Sequence, residues 1–181
     1  MRMKVDDETL AEQAGNGDGE AFSALLERHY DRLFALCFRL MGNRAEAEDL
    51  TQDICAALAA RLASYRRQAR FTTWLYRVAV NAAHDRRRRQ ASLRRAADGW
   101  GDWEINRRAA AEEAGEAVLW LHEAMRALPE ELRDTLALTL DEEMTHREAA
   151  EVLGLSEGTV SWRMAEVRKR LRAMHERETG R

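Results

Sequence analysis

Proline is nearly absent: Pro129 is the only one in 181 residues. Sheet-rich and disordered chains use proline freely in turns and loops. A chain this poor in it, and dense in Ala, Leu, Arg and Glu, reads as helical throughout. Cysteine is scarce as well. Cys37 and Cys55 are too few for a disulfide framework and fit a reducing compartment. No apolar run approaches the ~20 residues that a membrane span needs. The segment from Met1 to Glu12 is polar and acidic, without the apolar stretch of a signal peptide. Chemistry-bearing spacings are missing too: no metal-ligand spacing, no glycine-rich phosphate loop and no nucleophile–base set stands out. Cys37 and Cys55 lie singly on helical faces, as core residues do, and His29, His122, His146 and His175 read as surface or packing residues. The expectation is a soluble, cytoplasmic, all-α protein that is not an enzyme and takes no cofactor, metal or small-molecule substrate. Hydrophobic residues at 45% and charged residues at 34% supply a core and argue against wholesale disorder.

The formal net charge of −3 conceals a strong pattern. Residues 1–60 carry 6 basic and 12 acidic side chains, whereas residues 61–95 carry 11 arginines against Asp85 alone. Residues 96–151 reverse the balance with 5 basic and 15 acidic groups, and residues 152–181 carry 7 and 4. A positive stripe on an otherwise acidic chain suits a nucleic-acid binder, because phosphate contacts release counterions while acidic surfaces limit indiscriminate sticking. A solvated arginine face would look the same at this level.

Hydrophobic periodicity sets the organisation. From Glu20, Phe22, Leu25, Leu26, Leu33, Leu36, Cys37 and Leu40 recur at helical spacing until Gly42 and Asn43 supply a stop and a new cap. A second helix is predicted from Arg44 to Leu62, with Leu50, Ile54, Leu58 and Leu62 on one stripe and Glu46, Glu48, Asp49 and Asp53 opposite. Thr72 or Thr73 caps a third, which carries Trp74, Leu75, Val78, Ala79 and Ala82 and ends in Arg86 to Arg89. Residues 91–115 lose the periodicity and read as a flexible acidic linker in which Trp100 and Trp103 stand out. Helical spacing returns at Glu116, and Pro129 fits the first position of the next helix. Thr145 to Glu148 is a capping box, the helix it opens stops at Gly154, and Ser156 caps another two residues later. So short a turn reads as a helix-turn-helix, although an ordinary helical hairpin would account for the apolar stripes equally well. The last helix has Val160, Met164, Val167, Leu171 and Met174 as its buried stripe. The fold expected is two small helical domains, residues 20–90 and 116–176, joined by the linker 91–115 and flanked by an N-terminal segment 1–19 and a tail 177–181.

Two stretches resemble a known family. Ala21 to Leu26, Ala47 to Asp53, Phe71 to Asn81 and Asp85 to Arg88 are similar to the second conserved region of extracytoplasmic-function sigma factors. Leu128 to Arg133 and Arg147 to Val160 are similar to their fourth region. The resemblance covers about residues 15–175, in order.

It implies a transcription initiation subunit with core RNA polymerase, promoter DNA and an anti-sigma protein as partners, the upstream element double-stranded and the downstream one partly single-stranded. It assigns Asp49, Gln52 and Asp53 to polymerase docking, with Gln52-Asp53-Ile54 where the family has Gln-Glu and an aromatic. It assigns Trp74, Arg77, Asn81, His84, Asp85, Arg86, Arg87 and Arg88 to the downstream element, where unpaired bases stack on aromatic faces beside a basic groove. Thr159, Ser161, Trp162, Arg163 and Arg168 fall to the upstream element, with Ser161, Trp162 and Glu166 departing from the family's usual residues. The linker would run along a positively charged channel of the polymerase or act as a plain tether. A non-initiating mimic would need the partner faces but not eleven arginines in residues 61–95, and a stand-alone helix-turn-helix regulator would not need the Trp74 to Arg89 segment.

Overall fold

The structure, a computed structural model, describes residues 5–96, 116–140 and 144–180, and among them holds helix and no strand. Trp100 and Trp103, and most of the expected linker, lie outside the described residues.

The first half contains α1 (Asp7–Gly15), α2 (Gly19–Met41), α3 (Arg44–Leu62) and α4 (Phe71–Ala96). The helix α1 was not expected, the segment before residue 20 being polar. Asp6 caps it by accepting from the Thr9 amide at 2.7 Å, and Leu10, Ala11 and Ala14 enter the core. Asp18 caps α2 in the same way, accepting from Glu20 and Ala21. The expected stop at Gly42 is present. Its φ of +68° is a left-handed value that glycine takes without Cβ strain, and its amide donates to the Phe38 carbonyl at 2.8 Å. Asn43 then caps α3. Leu50, Ile54, Leu58 and Leu62 of α3 are buried as their spacing predicted.

The cap of α4 is not Thr72 or Thr73. The helix begins at Phe71, whose amide donates to Glu8 Oε1 of α1 at 3.0 Å, so a distant carboxylate serves the orphan donor and Thr73 is buried within the helix. Phe71 sits at the centre of this half, edge-on to His29 and Tyr65 and tilted against Trp74. Burying such a side chain stabilises the fold by roughly 1.5–3 kcal/mol. His29 is buried beside it and bonded to Asp7 Oδ2 at 2.8 Å, a packing role.

The second half contains α5 (Glu116–Ala127), α6 (Glu130–Thr139), α7 (His146–Leu153) and α8 (Glu157–Thr179). Pro129 is the N-cap of α6 rather than its first helical residue: its backbone is extended, φ −51° and ψ 147°, and its carbonyl receives the amides of Leu132 and Arg133. The capping box of Thr145 and Glu148 is complete in both directions. Gly154 takes a φ of +67° and Ser156 caps α8. This turn folds α7 across α8, and both pack on α6, a helix-turn-helix with its supporting helix. Val160, Met164 and Val167 are buried there, with Leu171 and Met174 packed at the margin.

The halves also pack on one another, α2 against α6 and α4 against α7, and their apolar residues form one continuous cluster. That contact decides which polar side chains remain open.

Candidate nucleic-acid interface

Helix α4 carries most of the basic block. Its polar residues divide by angle around the axis, since positions three, four or seven apart share a face. Asn81, Asp85 and Arg88 lie exposed along one stripe with half-buried Trp74. Asp85 accepts from Arg88, and Trp74 tilts against the Tyr65 ring with centroids 5.4 Å apart. This stripe combines an aromatic face, an amide and a cation, the set that unpaired bases and phosphates need.

The adjoining stripe, Arg77, His84 and Arg87 with Arg70 just before the helix, touches the second half, which largely buries Arg87 but leaves Arg70, Arg77 and His84 substantially exposed. Arg70 donates to Glu148 Oε1 at 3.1 Å and Arg77 to the Glu151 carbonyl at 2.6 Å. His84 Nε2 lies 2.6 Å from Asp134 Oδ2. Arg87 grips the same carboxylate with both terminal nitrogens at 2.9 Å, adds Glu130 at 2.8 Å, and donates to the Leu40 carbonyl at 3.0 Å. The Asp134 side chain is only 3% exposed and that of Arg87 14%. Burial acts most strongly on the Asp134 carboxyl and pushes its pKa up, but the hydrogen bonds from His84 and Arg87 and their charges outweigh it and hold the pKa below the ordinary carboxylate value. His84, Glu130 and Asp134 bring possible metal-ligating atoms within 4.8 Å of one another. Arg87 bonds both carboxylates there, so a guanidinium already supplies the cation.

Arg86 points to a third side. Its Nε donates to Glu46 at 2.6 Å, Nη2 to Asp49 at 3.0 Å and Nη1 to Asp53 at 3.1 Å. Burial opposes the charge on Arg86, but the bond to Glu46 and the three carboxylates raise its pKa above normal. Asp49 and Asp53, read from the sequence as docking residues, are therefore joined to a residue read as DNA-facing. Gln52 stands exposed beside them.

On α8, Trp162 is 65% exposed, unusual for so large an apolar side chain. Ser161 accepts or donates at 2.9 Å with His146 Nδ1 of α7, and Thr159 bonds the capping Ser156 at 2.8 Å. Arg163 reaches back to the Glu131 carbonyl at 3.4 Å. Arg168 lies further along, on an open basic groove with Lys169 and Arg172. Thr159, Ser161, Trp162 and Arg163 thus gather at the N-terminal end of α8, where a helix-turn-helix presents side chains to a major groove.

Sequence reasoning missed Asp134, Glu130 and the Glu151 carbonyl as partners of the arginine block. The signal was present in the charge pattern, a strongly acidic segment following a strongly basic one. Among the described residues, no helix is long and apolar enough to cross a membrane.

Comparison with known proteins finds matches to both halves. Residues 25–93 match the model of Sigma-70 region 2, and residues 119–171 match that of Sigma-70, region 4. The ECF RNA polymerase sigma factor SigW of Bacillus subtilis is 28% identical, over 88% of this chain and 91% of that one. The RNA polymerase sigma factor CnrH of Cupriavidus metallidurans is 31% identical, over 96% of each chain. A solved structure of CnrH in complex with the cytosolic domain of CnrY superimposes with a TM-score of 0.71 at 27% identity, covering 94% of this chain and 97% of that one. The sigma factor RpoE of Bartonella quintana, solved with the anti-sigma factor NepR, shares the fold at 21% identity and a TM-score of 0.74, over 87% of this chain and 98% of that one. With both regions matched in order, beside a buried α3–α4 bundle and a capped helix-turn-helix, the chain belongs to the extracytoplasmic-function RNA polymerase sigma factors.

Proposed function

We propose that this chain binds core RNA polymerase and directs it to particular promoters, with no catalytic activity of its own. The observation that carries the reading is the presence on one chain of two separate faces with the side chains nucleic acid needs, the α4 stripe of Trp74, Asn81 and Arg88 and the α8 tip with exposed Trp162. One helix-turn-helix alone would not need the first. Residues 20–90 serve as the polymerase- and downstream-element domain and residues 116–176 as the upstream-element domain. Trp74, Arg77, Asn81, His84, Asp85, Arg87 and Arg88 meet the downstream element. Thr159, Ser161, Trp162, Arg163 and Arg168 meet the upstream element, side chains to base edges and cations to phosphates. Asp49, Gln52 and Asp53 dock on polymerase, and Arg86 belongs with this patch because its guanidinium pairs with Glu46, Asp49 and Asp53. The work is done in the cytoplasm. Because CnrH and RpoE relatives have been solved with CnrY and NepR, an anti-sigma partner is the natural regulator here too.

Run-off transcription with core polymerase tests the reading. The purified chain should yield transcripts from a defined subset of promoter fragments. Binding to core polymerase without any promoter-specific transcript would replace it with the non-initiating mimic.

A further inference from the structure

The polar tip of α8 is not built by α8 alone. Ser161 Oγ lies 2.9 Å from Nδ1 of His146, the first residue of α7. That bond departs from what hydroxyls in the other helices do. Ser23, Thr51, Thr135 and Thr139 each donate to the carbonyl four residues back, at 2.7–3.0 Å, which spends the hydroxyl proton on the residue's own helix. Ser161 stands exposed beside Trp162 and is turned across to the neighbouring helix instead. His146 is well placed to hold it. The complete capping box of Thr145 and Glu148 fixes the start of α7. The imidazole is half-buried, and the bond to Ser161 is the only one its ring makes among the described residues.

A free serine hydroxyl is an indifferent reader of base edges, since it rotates and can donate or accept. One engaged by an imidazole nitrogen is held in place with its proton committed. In one tautomer Ser161 gives its proton to Nδ1 and offers lone pairs alone; in the other it receives the Nδ1 proton and keeps its own to give. We infer that His146 is a positioning residue of the upstream-element face, which acts through Ser161 Oγ to make that hydroxyl selective at a single base pair. Ser161 supplies the contact and His146 its direction. Orientation fixed before DNA arrives lowers the cost of ordering the side chain on binding. The inference rests on the promoter-directing function proposed above and deepens it, because the base pair read belongs to that function's upstream element.

The test uses the full chain bound to core RNA polymerase and a promoter fragment transcribed in the run-off assay, its upstream element randomised over about one helical turn of DNA. Sequencing the retained DNA gives the preference at each base pair. Ser161→Ala should flatten a wild-type preference of about three- to tenfold at one pair, as loss of a single hydrogen bond gives. His146→Ala should flatten the same pair and leave the others as in wild type. Added to Ser161→Ala, it should change nothing further, since a residue that acts through a deleted hydroxyl has nothing left to act on. His146→Asn, whose side-chain amide can stand where Nδ1 stands, should restore most of the preference. His146→Phe keeps a ring without a nitrogen and should match His146→Ala; it decides the matter if the alanine variant proves unfolded by circular dichroism. A Ser161→Ala chain that flattens no pair, or a His146→Ala chain with every preference intact, would overturn the inference. So would a further loss in the double variant, or a uniform drop in retained DNA without change of preference, which would make His146 a phosphate contact or a packing residue in its own right. Wild-type enrichment with no effect of His146 removes this inference alone. No run-off transcript, or no wild-type enrichment at any pair, removes the promoter-directing function and the positioning role with it.

Discussion

Replacing Arg86 with alanine tests the charge geometry of the α3–α4 face in a quantity that can be worked out beforehand. Arg86 holds Glu46, Asp49 and Asp53 with its three nitrogens. Its bond to Glu46 joins two side chains 25% and 32% exposed, and a charge-assisted bond in that setting is worth about 1.5 kcal/mol. Asp49 and Asp53 are 65% and 74% exposed, so each adds only ~0.3–0.5 kcal/mol after screening. Without Arg86, the three carboxylates stand on one helical stripe at spacings of three and four, and each like-charged neighbour pair costs ~0.2–0.5 kcal/mol. Relief of the arginine's own desolvation offsets part of the sum. Arg86→Ala should therefore lower unfolding free energy by about 2–3 kcal/mol in urea titrations followed by circular dichroism near 0.1 M salt. Raising salt to about 1 M contracts the screening length from ~10 to ~3 Å and should recover roughly 1 kcal/mol of the loss by removing the repulsion among exposed groups. Arg86→Lys keeps the charge but not the three-way fork and should fall about midway. In function, the alanine variant should weaken core polymerase binding more than affinity for single-stranded DNA. A loss under 0.5 kcal/mol at low salt, or one indifferent to salt, would refute this account of the patch.

Trp162→Ala should leave stability within about 0.5 kcal/mol, because the ring is exposed, while reducing the footprint at the upstream promoter element. An unchanged footprint would take Trp162 out of the DNA-contacting set. Thr145→Ala removes the capping box that starts α7 and should cost about 1 kcal/mol, measurable as a lowered urea midpoint, with Thr145→Ser restoring most of it. For the interface, the depressed pKa of Asp134 fixes the sign of a pH effect. Its contribution is complete above the unfolded carboxyl value of ~3.9 and is lost as pH falls toward the lower folded value. Asp134→Asn should flatten the acid limb of stability measured below about pH 4. Cys37 is fully buried, and that burial drives its thiol pKa up to about 11, only partly opposed by a hydrogen bond with Thr51. Iodoacetamide at neutral pH should leave it unmodified until the chain unfolds, as read by mass spectrometry.

Helices with strong local grammar were legible residue by residue. Gly42 and Asn43 mark the α2–α3 junction because a left-handed stop and an N-cap are properties of single residues. The Thr145–Glu148 box and the Gly154–Ser156 turn are of the same local kind. What escaped was non-local. The start of α4 depends on Glu8, sixty-three positions away, and no threonine near Phe71 could reveal that. The helix α1 escaped because its apolar contribution is three small or medium residues, Leu10, Ala11 and Ala14, among polar neighbours. At the candidate site, composition identified the arginine block but could not divide it. Arg86, Arg87 and Arg88 are consecutive, so they point in three directions, and the structure gives one to α3, one to α6 and leaves one beside Asp85.

The Arg87–Asp134 pair has a consequence for modularity. Here a guanidinium anchored in one half finds its buried counter-charge only in the other. A chimera that kept α1–α4 but received a second half with an apolar residue at position 134 would inherit an arginine pressed against a surface unable to solvate or neutralise it. Substitution at either position alone would leave the other without its counter-charge. The two halves of this chain are better regarded as a matched set than as interchangeable parts.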